Sequence, residues 1–136
     1  MSIGINFDSD WDNLTEAALK KKPQKMELRP WGYFNILLEE CNYAVKRLVV
    51  YPGQRLSLQR HRWRDEHWYI AEGAAKVTRD SNCFMLYMGD DLNIAKGSWH
   101  RVENKHQMNL VIIEVQTGDC FEEDIERKED DYGRVH

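Results

Sequence analysis

Short runs of β-branched and aromatic residues alternate with turn residues along most of the chain, from Arg29 onward. The turns include Pro52-Gly53, Asp80-Ser81-Asn82 and Lys96-Gly97-Ser98. Closely spaced short strands with such turns are typical of a β-sandwich or a β-barrel. No helical pattern alternates with the runs, which argues against a parallel sheet with crossover helices. The pattern therefore predicts an all-β antiparallel barrel or jelly roll, with strands near 33–38, 44–51, 55–61, 67–72, 75–79, 83–88, 92–95, 99–103 and 110–117.

The N-terminal part of the chain has a different pattern. Apolar residues recur at helical spacing between Asp10 and Lys22, and Pro23 would end such a helix. The sequence therefore predicts a short N-terminal helical segment over 1–28 and one β domain over 29–136 with a charged C-terminal tail. In that tail we expect packing only through Phe121, Ile125 and Tyr132.

Composition narrows the class of protein. The 136 residues carry a formal net charge of -4, which argues against a nucleic-acid partner. No apolar run approaches the roughly 20 residues of a membrane span, and the acidic N-terminus does not resemble a secretory signal. The three cysteines form no CxxC pair, so we expect reduced thiols rather than a zinc ribbon. We therefore predict a cytoplasmic protein with no membrane partner.

Candidate metal ligands concentrate between Gln59 and His100. Gln59 and His61 are two residues apart, so both point to the same face of a strand. Glu66 opens the next run, and His100 lies on a separate predicted strand. Two imidazoles, a carboxylate and an amide oxygen suit a divalent ion such as Zn, Mn, Fe, Co or Ni. The alternative is that each histidine is a hydrogen-bonded structural residue; His67 should face the opposite side of its strand.

The spacing of these residues resembles two motifs of the cupin superfamily. The first motif, G-x5-(H/Q)-x-H-x3,4-E-x6-G, runs from Gly53 through Gln59, His61 and Glu66 to Gly73. The second motif, G-x5-P-x-G-x2-H-x3-N, is similar to the stretch from Gly89 to Asn104 and includes His100, with Ala95 in place of its proline. The resemblance implies a cupin barrel and a metal held by the four candidate ligands.

Longer stretches resemble the C-terminal cupin domain of type II mannose-6-phosphate isomerase, which is fused to a mannose-1-phosphate guanylyltransferase. They include Leu56-Ser-Leu-Gln59, Glu66-His-Trp68 and the Asp-Tyr-Gly-Arg sequence that ends at Arg134. The family usually has a His-rich run where this sequence has Arg62 and Trp63, so Trp63 is expected to enter and narrow the pocket if its strand continues that far. The sequence contains no nucleotidyltransferase domain, so we expect no guanylyl transfer from it.

The resemblance implies an isomerase that interconverts mannose-6-phosphate and fructose-6-phosphate. The reaction needs a base, for which Glu114 and Lys46 are the candidates, and a cation for the phosphate. Arg134, Arg47 and Lys46 are the candidate cations. Two alternatives stay open: a non-catalytic module that binds a sugar phosphate or nucleotide sugar, with a separate nucleotidyltransferase as a partner, and a metal cupin of another reaction class. We also expect a homodimer, because exposed edge strands commonly pair.

Overall fold

The protein forms eleven antiparallel strands in the residues that the computed structural model describes, 25–119 and 123–134. That part of the chain contains no helix, and no segment of it could cross a membrane as one. The predicted helix over 10–22 lies outside the described residues. The strands are β1 (Lys25–Arg29), β2 (Gly32–Glu39), β3 (Tyr43–Val50), β4 (Leu58–Arg60), β5 (Arg64–Glu72), β6 (Ala74–Arg79), β7 (Asn82–Tyr87), β8 (Asp91–Ile94), β9 (His100–Glu103), β10 (Leu110–Gly118) and β11 (Glu126–Glu129).

The strands form two sheets that enclose one hydrophobic core. One sheet has the order β1-β2-β3-β10-β5-β8, and the other has the order β11-β4-β9-β6-β7. Side chains from both inner faces meet between the sheets, among them Leu48, Ile70, Val77, Val102 and Ile112, each at most 5% exposed. Burying large aliphatic side chains in this way is the main favourable contribution to folding. The predicted all-β antiparallel architecture is confirmed.

Polar residues interrupt the inward-facing row at the centre of the six-stranded sheet. In β10 the row begins with Leu110 and Ile112 and continues with Glu114 and Gln116, all buried. Because side chains alternate along a strand, the two polar residues point into the same interior as the apolar ones. Register places Glu114 opposite Lys46 on β3, and places Gln116 opposite Glu66 on β5. One end of the core is therefore polar.

A glycine lets the loop after β4 approach the end of β10. Gly118 has a φ of 114°, and a Cβ atom there would lie 2.4 Å from the carbonyl oxygen of Trp63. No residue with a side chain fits at that distance, so the close approach requires glycine. The contact fixes the loop between β4 and β5, which carries His61.

The C-terminal tail is more firmly attached than the sequence predicted. Strand β11 pairs with β4, and Arg55 makes a two-bond ion pair with Asp131. The guanidinium of Arg101 likewise donates hydrogen bonds to the carboxylate and to the backbone carbonyl of Glu129. Tyr132 packs against the core as expected, but the expectation that the tail packs only through apolar residues is wrong. Phe121 lies outside the described residues.

Candidate metal centre and the cavity beside it

Three of the four predicted metal ligands come together at the polar end of the core. His61 follows β4, Glu66 lies in β5 and His100 begins β9, so both sheets contribute. Potential ligand atoms of the three residues all lie within 4.8 Å of one another. His61 Nε2 lies 2.8 Å from Glu66 Oε1, and His100 Nε2 lies 3.7 Å from the same oxygen. No more than 3% of any of these residues is exposed.

Backbone carbonyl groups orient both imidazole rings. His61 Nδ1 lies 2.6 Å from the carbonyl oxygen of Asp124, and His100 Nδ1 lies 2.9 Å from that of Ser98. A carbonyl only accepts hydrogen bonds, so each Nδ1 carries the proton. In a neutral ring Nε2 is then an acceptor, and both Nε2 atoms face the Glu66 carboxylate. Ring orientation through the second nitrogen is typical of metal-ligating histidines.

The chemistry of this donor set fits a divalent metal. His100 Nε2 is buried without a hydrogen-bond partner in the described part of the chain. A lone pair left unused in the interior is costly, and a cation between it and Glu66 would satisfy both. The other Glu66 oxygen accepts a hydrogen bond from Trp68 Nε1 at 3.2 Å, which fixes the carboxylate. Metal binding by these residues stays a prediction.

The protonation states also suit metal ligands. Burial alone would raise the pKa of Glu66, but the hydrogen bond that a protonated His61 donates and the positive charges of a protonated His100 and of Arg64 hold it well below its usual range. Burial lowers the pKa of His100, and the charge of Glu66 offsets part of that effect. The carboxylate is therefore ionised and His100 is neutral near pH 7, the forms that bind metals.

Gln59, the fourth predicted ligand, lies beside the cluster. It is paired with His100 in the β4–β9 ladder, and its side chain lines the adjoining cavity. Its amide oxygen accepts a hydrogen bond from Ser57 Oγ at 2.8 Å, which orients the amide. Its role as a ligand remains a prediction.

Arg64 is a site residue that sequence reasoning missed. Its Nη2 atom lies 3.2 Å from His61 Nε2 and 3.5 Å from Glu66 Oε1, and the residue is buried. It has the same parity on β5 as Glu66 and Trp68, so the alternation of that strand could have identified it. The guanidinium places a permanent positive charge against the cluster.

A small cavity of about 70 Å³ opens next to the cluster. Lys46, Glu114 and Arg134, which were predicted to act in catalysis or substrate binding, all line it, and these roles stay predictions. Burial and the charge of Glu66 raise the pKa of Glu114 to about 7, although Arg64 and Lys46 oppose the shift. Four further polar residues of the lining were not among the predicted site residues: Arg29, Arg64, Gln116 and Arg127.

Two predicted substrate-binding residues lie elsewhere. Arg47 has the opposite parity to Lys46 and points to the outer face of the sheet, where its guanidinium lies 3.5 Å from Tyr33 Oη and Asn35 Oδ1. Trp63 is 51% exposed and does not enter the barrel. Strand β4 ends at Arg60, so the alternation that would have turned the indole inward stops before it. Both residues therefore lie outside the cavity that holds Glu114.

Comparisons with known proteins agree with this architecture. A family model described as "Mannose-6-phosphate isomerase C-terminal" matches residues 16–130. The alginate biosynthesis protein AlgA of Pseudomonas syringae pv. tomato is 46% identical over 123 residues, covering 89% of this chain and 26% of that protein. A mannose-1-phosphate guanylyltransferase of Escherichia coli K12 is 42% identical over 108 residues, covering 79% and 23%. The chain spans about a quarter of the length of these relatives.

Solved structures share the fold at low sequence identity. An RmlC-like cupin from Shewanella frigidimarina has a TM-score of 0.66 at 17% identity, covering 74% of this chain and 87% of that one. A Klebsiella pneumoniae protein with a double-stranded β-helix domain has a TM-score of 0.63 at 19% identity, covering 70% and 82%. These likenesses concern the fold, while the family model and the closer relatives concern descent. The chain has a cupin fold and belongs to the mannose-6-phosphate isomerase C-terminal family.

Proposed function

We propose that this chain is a metal-dependent sugar-phosphate isomerase that interconverts mannose-6-phosphate and fructose-6-phosphate. The observation that carries the proposal is the juxtaposition of the buried His61–Glu66–His100 cluster with a cavity that holds Glu114 among several cations. The family to which the chain belongs supports the choice of substrate. A cluster without such a cavity would suit a structural metal equally well.

His61, Glu66 and His100 would hold the metal, with Gln59 as a fourth ligand. The mixed nitrogen and oxygen set suits Zn, Mn, Fe, Co or Ni. When bound, the ion supplies Lewis-acid stabilisation of the negative charge that develops on the sugar oxygens during proton transfer. The carbonyl groups of Asp124 and Ser98 keep both imidazole rings turned towards Glu66.

Glu114 is the better of the two candidate bases. The reaction removes a proton from C2 of mannose-6-phosphate and adds one at C1, while a hydroxyl proton moves from O2 to O1. One carboxylate can carry out both carbon steps if it lies on one face of the substrate. Glu114 lies between the cluster and Lys46, and Gln116 Nε2 donates a hydrogen bond to its Oε1. Lys46 lies 4.7 Å above the Phe34 ring, and its charge would hold the substrate or the Glu114 carboxylate.

Arginines at the mouth of the cavity would bind the phosphate. Arg134, Arg127 and Arg29 all line it, and guanidinium groups bind phosphate through paired hydrogen bonds. Asp130 holds the Arg134 guanidinium through two of its nitrogens, at 2.8 and 3.1 Å, which orients it. The cavity is smaller than the roughly 300–1,000 Å³ of most ligand sites, so the C-terminal segment that carries Arg127 and Arg134 would move outward to admit the sugar.

Turnover tests the proposal directly. The full chain, loaded with each divalent metal in turn, is incubated with fructose-6-phosphate, and mannose-6-phosphate is measured. We expect product with at least one metal, loss of product in Glu114→Gln, and normal turnover in Arg47→Ala, whose side chain lies on the outer face. A metallated protein that gives neither product nor hydrogen exchange with solvent at C1 or C2 would overturn the isomerase proposal.

A second candidate is a sugar-phosphate binding module without catalysis. It is favoured by Arg62 and Trp63, which stand where the family usually has a His-rich run, and Trp63 lies exposed outside the barrel. Such a module would bind the sugar phosphate beside a separate nucleotidyltransferase. Binding of fructose-6-phosphate to the metallated protein, measured by calorimetry without turnover, would favour it.

A further inference from the structure

A second cavity, the outer cavity, includes His61 in its lining together with several exposed residues. It has a volume of about 520 Å³ and is lined by residues 60–63, 96–97 and 123–126. That volume is typical of small-molecule sites. The proposed isomerase reaction does not use this cavity, so a ligand of the outer cavity can be tested independently of turnover.

Two of the three acidic side chains that line this outer cavity are already engaged. The Asp124 carboxylate accepts hydrogen bonds at 2.8 Å from the backbone N–H groups of Arg62 and Trp63. Glu126 accepts one at 2.8 Å from Arg60. The N–H partners of Asp124 are neutral, so Asp124 keeps its negative charge, and Glu123 adds another.

Two of the three cations that line the outer cavity are available, since the third, Arg60, binds Glu126. Arg62 and Lys96 are exposed and form no ion pair with any residue in 25–119 or 123–134. The formal charges of the lining balance, but Arg62 and Lys96 keep side-chain donors that can bind an anionic group. A phosphate group is the anion for which an arginine and a lysine are jointly suited.

Trp63 adds an aromatic surface to these charges. Its indole is 51% exposed, and the Arg62 guanidinium lies 6.0 Å from the ring centroid. An exposed indole beside a cation is a platform on which a planar base stacks. Strand β4 ends before Trp63, and this is why the indole points to the cavity rather than to the core.

We infer that the outer cavity is a nucleotide site, in which the base stacks on Trp63 and the phosphates bind Arg62 and Lys96. A sugar phosphate or inorganic phosphate would use the same two cations but would gain nothing from a planar stack. The difference in affinity between a nucleotide and these two simpler ligands therefore tests whether the outer cavity is a nucleotide site.

Isothermal titration calorimetry of the full chain with ADP and GDP tests the inference, with inorganic phosphate and fructose-6-phosphate as the other two ligands. We expect both nucleotides to bind at least about tenfold more tightly than inorganic phosphate. Base stacking on an aromatic side chain predicts that Trp63→Ala weakens nucleotide binding by roughly 5- to 150-fold. Lys96→Ala and Arg62→Ala should each lower the affinity of the outer cavity for every phosphate-bearing ligand.

Matched controls separate this site from general surface effects. Tyr87→Ala removes another exposed aromatic ring, and Lys105→Ala removes another exposed lysine; neither should change nucleotide affinity. The indole N–H resonance of Trp63, identified by its loss in Trp63→Ala, should shift when ADP is added. Absence of nucleotide binding, binding insensitive to Trp63→Ala, or equal affinity for inorganic phosphate would each overturn the assignment.

Discussion

His100 Nε2 lies 3.7 Å from Glu66 Oε1 and has no hydrogen-bond partner in the described part of the chain. The distance is too long for a hydrogen bond, yet both atoms are buried. A cation placed between them would coordinate both, and His61 Nε2 faces the same space. This relationship leads to the first prediction.

Replacing His100 with alanine should abolish stable metal binding. Changes in the residues that merely orient metal ligands typically cost about 10- to 100-fold in affinity, so loss of a ligand should cost more than that. Metal content after dialysis, measured by mass spectrometry, checks the prediction. His106→Ala is the control, because His106 is exposed in a loop. Full occupancy in His100→Ala would show that the metal, if any, binds elsewhere.

Asp124→Ala should weaken both the fold and the metal centre. The buried carboxylate holds two backbone N–H groups, and losing such bonds costs about 1–3 kcal/mol of unfolding free energy. The same loop carries His61, so metal affinity should fall by about tenfold or more. Urea unfolding and a zinc titration measure the two effects. Asp119→Ala, at an exposed position, should change neither stability nor metal affinity. If the two variants behave alike, the Asp124 carboxylate does not hold the loop that carries His61.

The stability of the metal-free protein should depend on pH through Glu114. Its pKa is raised from 4.5 to about 7, so the folded state holds a proton that the unfolded state has released. The contribution of Glu114 to the free energy of unfolding is fully present below about pH 4.5. It is lost as the pH rises towards 7, by up to about 3 kcal/mol. The difference in unfolding free energy between wild type and Glu114→Gln should therefore fall over that interval. A difference that is constant with pH would contradict the raised pKa.

Arg134→Ala should raise the KM for fructose-6-phosphate by at least about tenfold without changing metal content. The reason is that a lost charge-assisted hydrogen bond to phosphate costs about 1.5–3 kcal/mol, whereas Arg134 binds Asp130 rather than a predicted metal ligand. Arg47→Ala is the matched control, since that guanidinium contacts Tyr33 and Asn35 on the outer face. Equal effects of the two changes would remove Arg134 from the phosphate site.

The alternation of side chains along strands made most of the fold predictable. It could also have corrected the prediction that Arg47 binds the substrate. Lys46 and Arg47 are adjacent in β3, so only one of them can face the interior, and the buried row containing Leu48 shows that it is Lys46. Glu114 was identifiable because it continues the inward row of β10. The resemblance to the two cupin motifs related His61 to Glu66 and His100, although these residues come from separate strands.

Other features depend on contacts that have no local pattern. Strand β11 has the sequence ERKE, in which no apolar alternation reveals a strand; it forms because β4 offers a free edge and Arg60 binds Glu126. Trp63 was misplaced because the end of β4 is set by Asp124, which is 61 residues away in sequence. Arg64 was missed because a charged residue is not expected in a buried position unless its partners are known.

The bond between His61 and Asp124 also has a consequence for the order in which the protein matures. The two residues are 63 positions apart, and the carbonyl of Asp124 fixes the ring of His61. During synthesis from the N-terminus, the barrel strands up to β10 emerge before Asp124 does. The ring of His61 therefore acquires its final orientation only after the strands up to β10 and the segment that carries Asp124 have been synthesised. The metal centre is expected to be among the final features to form, so a nascent chain acquires its β-structure well before it acquires the capacity to retain an ion.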